Sequence, residues 1–104
     1  MPDQDLYSGL IRLHVLHHAS QEPVFGLGMI RELRRHGYRI GPGTLYPLLH
    51  RLEQKRYLRS RKRIISGKLR RCYTITTLGR RALMLAKAKV CELFDELFEE
   101  AAEA

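Results

Sequence analysis

The stretch that decides the fold is Gly41-Pro42-Gly43-Thr44-Leu45-Tyr46-Pro47-Leu48-Leu49-His50-Arg51-Leu52-Glu53-Gln54-Lys55. Gly41-Pro42-Gly43 reads as a turn, and Pro42 suits the first turn of a helix, where its fixed φ is helical and its missing N–H is not needed. At about 100° per residue, Leu45, Leu48, Leu49 and Leu52 gather on one side of a helix running to about Lys55. Tyr46, Pro47, His50, Arg51 and Gln54 gather on the other. Pro47 falls within the first turn or just after it, so it need not break the helix. One face packs; the other offers aromatic, cationic and amide groups.

Upstream, Leu6, Leu10, Leu13 and Leu16 or His17 recur at helical spacing over Asp5 to Ala19, with Ile11 and Val15 beside them. So wide an apolar band predicts a first helix buried on more than one side. Ser20-Gln21-Glu22-Pro23 interrupts it. A second helix is expected from about Val24 to Arg35, with Leu27, Ile30 and Leu33 inward and Arg31, Arg34 and Arg35 outward, ending at Gly37.

Downstream, two β-prone runs, Tyr57 to Ile65 and Leu69 to Ile75, flank Ser66-Gly67-Lys68 and read as a hairpin. Arg61, Lys62, Arg63, Lys68 and Arg70 crowd its tip. Thr76 or Thr77 can cap a last helix reaching about Glu99. In that helix Leu83, Ala86, Val90, Leu93 and Leu97 repeat at spacings of three and four, and Met84, Cys91 and Phe98 form a second stripe. Two stripes are more than three short helices can cover, and the surplus points to a second copy of the chain. Leu10, Leu13, Leu83, Ala86, Val90, Leu93, Phe94 and Leu97 are the expected dimer contacts.

The 104 residues suffice for one domain with its own core. Apolar residues at 44% and charged residues at 29% describe a globular chain rather than a disordered one. No run approaches the roughly 20 apolar residues of a membrane helix, and the start lacks a signal-peptide layout, so a cytoplasmic protein is expected. Cys72 and Cys91 stand outside any Cys-x-x-Cys spacing and read as small apolar residues. The net charge of +8 favours a polyanionic partner, and it is unevenly spread. Arg51 to Arg71 hold ten Lys or Arg against Glu53 alone, whereas Glu92 onward holds six acids and no base. This places a positive working surface apart from a negative end.

The order α-α-α-β-β-α, with a basic hairpin and a polar face on the third helix, is the layout of a winged helix-turn-helix, an α+β and mostly helical fold. Residues 1–75 are read as the DNA-binding unit and 76–104 as a dimerisation helix continuous with it. The segment Gly43 to Glu53 also resembles the recognition-helix signature of the PadR family of transcriptional regulators, almost residue for residue. Phe25-Gly26 with Ile30-Arg31-Glu32-Leu33 is similar to that family's second helix. Tyr73-Thr74-Ile75-Thr76 with Leu78-Gly79 is similar to the end of its wing and the start of its last helix. Departures are Leu27 and Gly28 where Tyr and Glu are common, Tyr57 where Gly is usual and Cys72 where an aromatic is usual. The resemblance implies a homodimeric, cytoplasmic repressor that binds double-stranded DNA and is often released by a small-molecule effector. The chain has no Trp, so an effector held between tryptophans is not expected.

On this reading Thr44, Tyr46, Pro47, His50, Arg51 and Gln54 meet DNA from the helix, and Arg61, Lys62, Arg63, Lys68 and Arg70 meet it from the wing. Glu53 does not face Arg51 at i,i+2, which leaves Arg51 for a phosphate or guanine edge. Two other readings remain: a protein that binds nucleic acid through charge alone, and a winged-helix adaptor that docks proteins through its acidic last helix. His14 and His18 stand at i,i+4, a spacing that can place two imidazoles on one ion. With no third ligand evident in the sequence, His14, His17 and His18 read as core or interface residues and no metal site is assigned. No cofactor is expected, and no phosphate loop, serine elbow or carboxylate pair suggests an enzyme.

Overall fold

A computed structural model describes residues 3–103, and the side chains of all of these except residues 4 and 100–103. The outermost positions of the two expected units, residues 1–2 and 104, lie outside the described residues. The elements are α1 (Gln4–Gln21), β1 (Val24–Phe25), α2 (Gly26–Arg35), α3 (Pro42–Gln54), β2 (Leu58–Ile65), β3 (Lys68–Ile75) and α4 (Thr77–Glu103). The Asp3 carboxylate caps α1 by accepting from the backbone N–H groups of Asp5 and Leu6 at 2.9 and 3.3 Å.

One core joins all three layers. Ile11, Val15 and Leu16 of α1 meet Met29, Ile30 and Leu33 of α2, the four leucines of α3, Leu58 and Tyr73 of the sheet, and Leu83 of α4. Each fully buried leucine contributes about 1.5–3 kcal/mol. The first half of α4 is therefore part of the same core as the helices before it.

Three expectations change. Val24 and Phe25 do not begin α2. They form a short strand paired antiparallel with Tyr73 and Cys72, so the sheet has three strands in the order β1-β3-β2. In α2, Leu27 is exposed and Met29 is buried, because its inward face is rotated to centre on Gly26, Met29, Ile30 and Leu33. In α1, only the side carrying Ile11, Val15, Leu16 and Ala19 is fully covered. Leu6 and Leu10 face outward at 70% and 45% exposure. Leu13 is half-buried against the core, so the second apolar side of α1 is only partly covered within one chain.

The hairpin closes through Ser66-Gly67, both at positive φ (52° and 77°). That is a two-residue loop of the mirror-image type that matches strand twist, and glycine meets its second position without strain. At the other end of β3, the Thr76 hydroxyl accepts from the N–H of Gly79 and caps α4. The one hydrogen of the same hydroxyl is donated to the backbone carbonyl of Arg56, with that of Tyr57 also in reach at 3.2 Å, joining the segment after α3 to the start of α4.

Gly79 lies so close to this junction that a Cβ would fall on the carbonyl oxygen of Tyr57 and on Ile75. Gly9, in the middle of α1, has nothing within 4 Å of its Cβ direction. Gly79→Ala is therefore expected to lower the unfolding free energy by about 1–3 kcal/mol. Gly9→Ala is expected to raise it by up to about 1 kcal/mol. Urea unfolding of both variants checks the opposite signs.

Candidate nucleic-acid interface

The interface is built on α3. Leu45, Leu48, Leu49 and Leu52 are 0–6% exposed, while Thr44, Tyr46, Pro47, His50, Arg51 and Gln54 all lie open to solvent. Pro47 interrupts neither the helix nor its register. Its missing N–H frees the carbonyl four residues back, at exposed Gly43, where water can satisfy it. Tyr46 has two roles. It is 44% exposed, and its ring tip lies over Gly26, where a Cβ would stand 2.5 Å from the ring. The start of α2 thus sets the direction of Tyr46.

The wing extends the same surface. Arg63 stands opposite Arg70 and Lys62 opposite Arg71 in the β2–β3 ladder. Strand alternation then divides the cations. Arg59, Arg61, Arg63, Lys68 and Arg70 share the outer face, while Lys62 and Arg71 share the face that carries Ser60 and Tyr73 toward the helices. Like charges directly opposite in a ladder repel. Between Arg59 and Arg71 there is no acid to relieve them. A row of cations of this kind is chemically suited to a polyanion such as a phosphate backbone. Ile64 and Leu69, also a cross-strand pair, project at the tip with 75% and 65% exposure.

Glu53, the one acid in the basic stretch, fixes wing to helix. Its carboxylate accepts from the backbone N–H of Ser60 at 3.0 Å and from the Ser60 hydroxyl at 2.6 Å. The Ser60 hydroxyl also accepts from Arg71 at 3.0 Å. Arg51, by contrast, has no hydrogen-bond or ion-pair partner among the described residues.

The structure brings all the expected helix residues to one surface and all the expected wing residues to the adjoining hairpin. Sequence reading did not assign Arg59, on the outer face of the same hairpin, Arg71, on its other face beside Lys62, or the positioning role of Glu53. The isolation of Glu53 among ten cations was the available signal.

Past Ala86, α4 leaves the body. Every residue from Lys87 to Glu99 is exposed, including Val90, Leu93, Phe94, Leu97 and Phe98 at 43–59%. Of the expected dimer contacts, Leu83 is already buried in the chain's own core, and Leu13 and Ala86 are half-buried. A groove of about 380 Å³ between α1 and α4 is lined by Leu10, Leu13, His14, His17, Leu83 and Val90. Burial and then the neighbouring His36, His18 and His17 hold the His14 imidazole below its ordinary pKa and favour its neutral form.

A helical pair with its second helix outward, followed by a basic hairpin, defines a winged helix-turn-helix, a module that presents its third helix to a DNA groove. The chain belongs to the PadR-like family of transcriptional regulators, whose sequence model matches residues 15–85. A relative, Transcriptional regulator Rv3488 of Mycobacterium tuberculosis, is 48% identical over 87 residues, which are 84% of this chain and 81% of the relative. The crystal structure of a PadR family transcriptional regulator from Eggerthella lenta aligns with a TM-score of 0.80 at 32% identity, over 93% of this chain and 86% of that one. A PadR-like transcriptional regulator from Bacillus cereus aligns at 0.86 and 25% identity, over 93% and 96% of the two chains. Both the family and these relatives are named for regulation, not for catalysis. Among the described residues, no helix is long and apolar enough to cross a membrane.

The Glu53–Ser60 link gives a direct test of how the wing is held. Glu53→Ala removes the acceptor of two hydrogen bonds at a half-buried site. A loss of about 1–3 kcal/mol in unfolding free energy is expected. Chemical denaturation that leaves stability unchanged would show that the wing is held by something else.

Proposed function

We propose that this regulator is a cytoplasmic repressor that binds a specific double-stranded DNA operator as a homodimer, with α3 of each protomer in a major groove and the wing on the flanking phosphates. The observation that carries this reading is the division of α3 into a buried leucine face and an exposed face of Thr44, Tyr46, Pro47, His50, Arg51 and Gln54. Arg51 is the base-reading residue, since a guanidinium without an internal partner can bond a guanine edge with two hydrogens. Arg61, Lys62, Arg63, Lys68 and Arg70 hold phosphates, and Arg59 and Arg71 join them.

Dimerisation is supported by α4. A projecting helix with Leu93, Phe94, Leu97 and Phe98 exposed gains nothing from its own chain, and isolated helices of this length are marginal in water. The exposed side of α1, at Leu6 and Leu10, and the groove between α1 and α4 offer matching cover for a partner's α4. An isologous pair of this kind places two α3 helices on one side and calls for an inverted repeat in the DNA. A small-molecule effector would act by occupying this groove and changing the spacing of the two α3 helices.

Selection of random duplexes on the purified protein at near-physiological salt is expected to recover an inverted repeat. Arg51→Ala should cost about 1–3 kcal/mol against the selected site and relax specificity at one position. Arg63→Ala should weaken all sequences alike and lower the salt slope by about 1. Recovery of no common sequence would favour binding by charge alone, and failure to bind duplex at moderate salt would favour an adaptor. Independently, Leu93→Asp is expected to convert a dimer to a folded monomer in light scattering. A wild-type chain that is monomeric at micromolar concentration would end the dimer proposal.

A further inference from the structure

Three of the five histidines, none of them on α3 or the wing, meet at one point, and one of them, His14, also lines the groove between α1 and α4. His14 and His18 stand one turn apart on α1, both half-buried, and His36 follows the last turn of α2. The chain folds back so that the His36 ring lies 4.9 Å from the ring of His14, which in turn lies 6.3 Å from that of His18. One ligand nitrogen from each of the three falls within 4.8 Å of the other two. Tyr38 closes one side, edge-on to His14 at 5.6 Å.

We propose that His14, His18 and His36 form a binding site for one divalent transition-metal ion of the zinc class. On a tetrahedral ion with metal–nitrogen bonds of about 2.0–2.1 Å, ligand nitrogens stand roughly 3.4 Å apart. The rings therefore need to close by about 1.4 Å at most, which small side-chain rotations supply. His36 is exposed and free to make most of that movement.

The donor set selects the ion. Imidazoles suit zinc, copper and nickel, whereas magnesium and calcium require oxygen ligands. Charge is matched as well. The Glu32 carboxylate stands 3.6 Å from His36 Nε2 and is kept ionised by the hydrogen bonds it accepts from Arg35. It offsets the positive charge without being required as a ligand, so the fourth position stays open to water.

Plain ring stacking is the alternative use of these residues. Stacking needs only faces in contact, and Phe or Tyr would serve it better. Here three ligand nitrogens converge from two elements, and the ring nitrogens of His14 and His18 have no hydrogen-bond partner among the described residues. An ion at this point would tie α1 to the turn that delivers α3.

Calorimetric titration of the full chain with zinc(II), alongside thermal melting, tests the site without DNA. One ion per chain is expected, with a zinc-dependent rise in melting temperature that magnesium(II) does not reproduce. His36→Gln, an exposed substitution that leaves the core intact, should weaken binding by at least about tenfold and abolish the rise. His17→Gln and His50→Gln, the remaining two histidines, should change neither. The proposal is overturned if wild-type chain takes up no zinc, if His36→Gln binds as tightly as wild type, or if His17→Gln removes the binding.

Discussion

The structure depends on the burial of four leucines on one side of α3. Leu45, Leu48, Leu49 and Leu52 are shut into the core shared by α1, α2 and the sheet, and their removal from water fixes the rotation of α3 about its axis. The outward direction of His50 and Arg51 is a consequence of that rotation, and Tyr46 is aimed further by the contact of its ring with Gly26. A helix turned by one residue would expose a leucine and bury a cation, which costs far more than any single surface contact returns.

Around this anchor, polar links set the finer geometry. Glu53 ties α3 to β2, Thr76 ties the end of α3 to α4, and Tyr46 rests on Gly26 of α2. The wing and the polar face of α3 are therefore joined by direct contacts. Beyond the core the chain changes character. A hairpin of like charges and an arm of uncovered apolar side chains are both unfavourable in isolation, and the proposed function gives each a different partner: a polyanion for the first, a second copy for the second.

Much of this was legible in the sequence, for physical reasons that differ by element. The leucine spacing of α3 and the Ser66-Gly67 turn are local signals, complete within a few residues, and the observed helix and hairpin follow them closely. Strand β1 was not legible. Two residues carry no periodicity, and the pairing of Val24 and Phe25 is decided by Tyr73 and Cys72, far along the chain. The same limit hid the third histidine. His14 and His18 declare their proximity at i,i+4, but only the fold brings His36 beside them. The exchange of Leu27 for Met29 in the core of α2 is a rotation of the inward face, which Gly26 and Met29 share with Ile30 and Leu33 and which a 27-30-33 spacing alone does not distinguish. Strand alternation, read more closely, would have separated Lys62 from Arg61 and Arg63.

The central claim is that the polar face of α3, held from behind by its leucines, is the surface that enters DNA. Titration of isotope-labelled protein with an operator duplex, followed by backbone amide chemical shifts, tests it most directly. The account predicts that the largest changes fall on residues 44–54 of α3 and 59–71 of the wing, with little change along the exposed part of α4. Changes concentrated in α4, with the α3 amides unmoved, would contradict it.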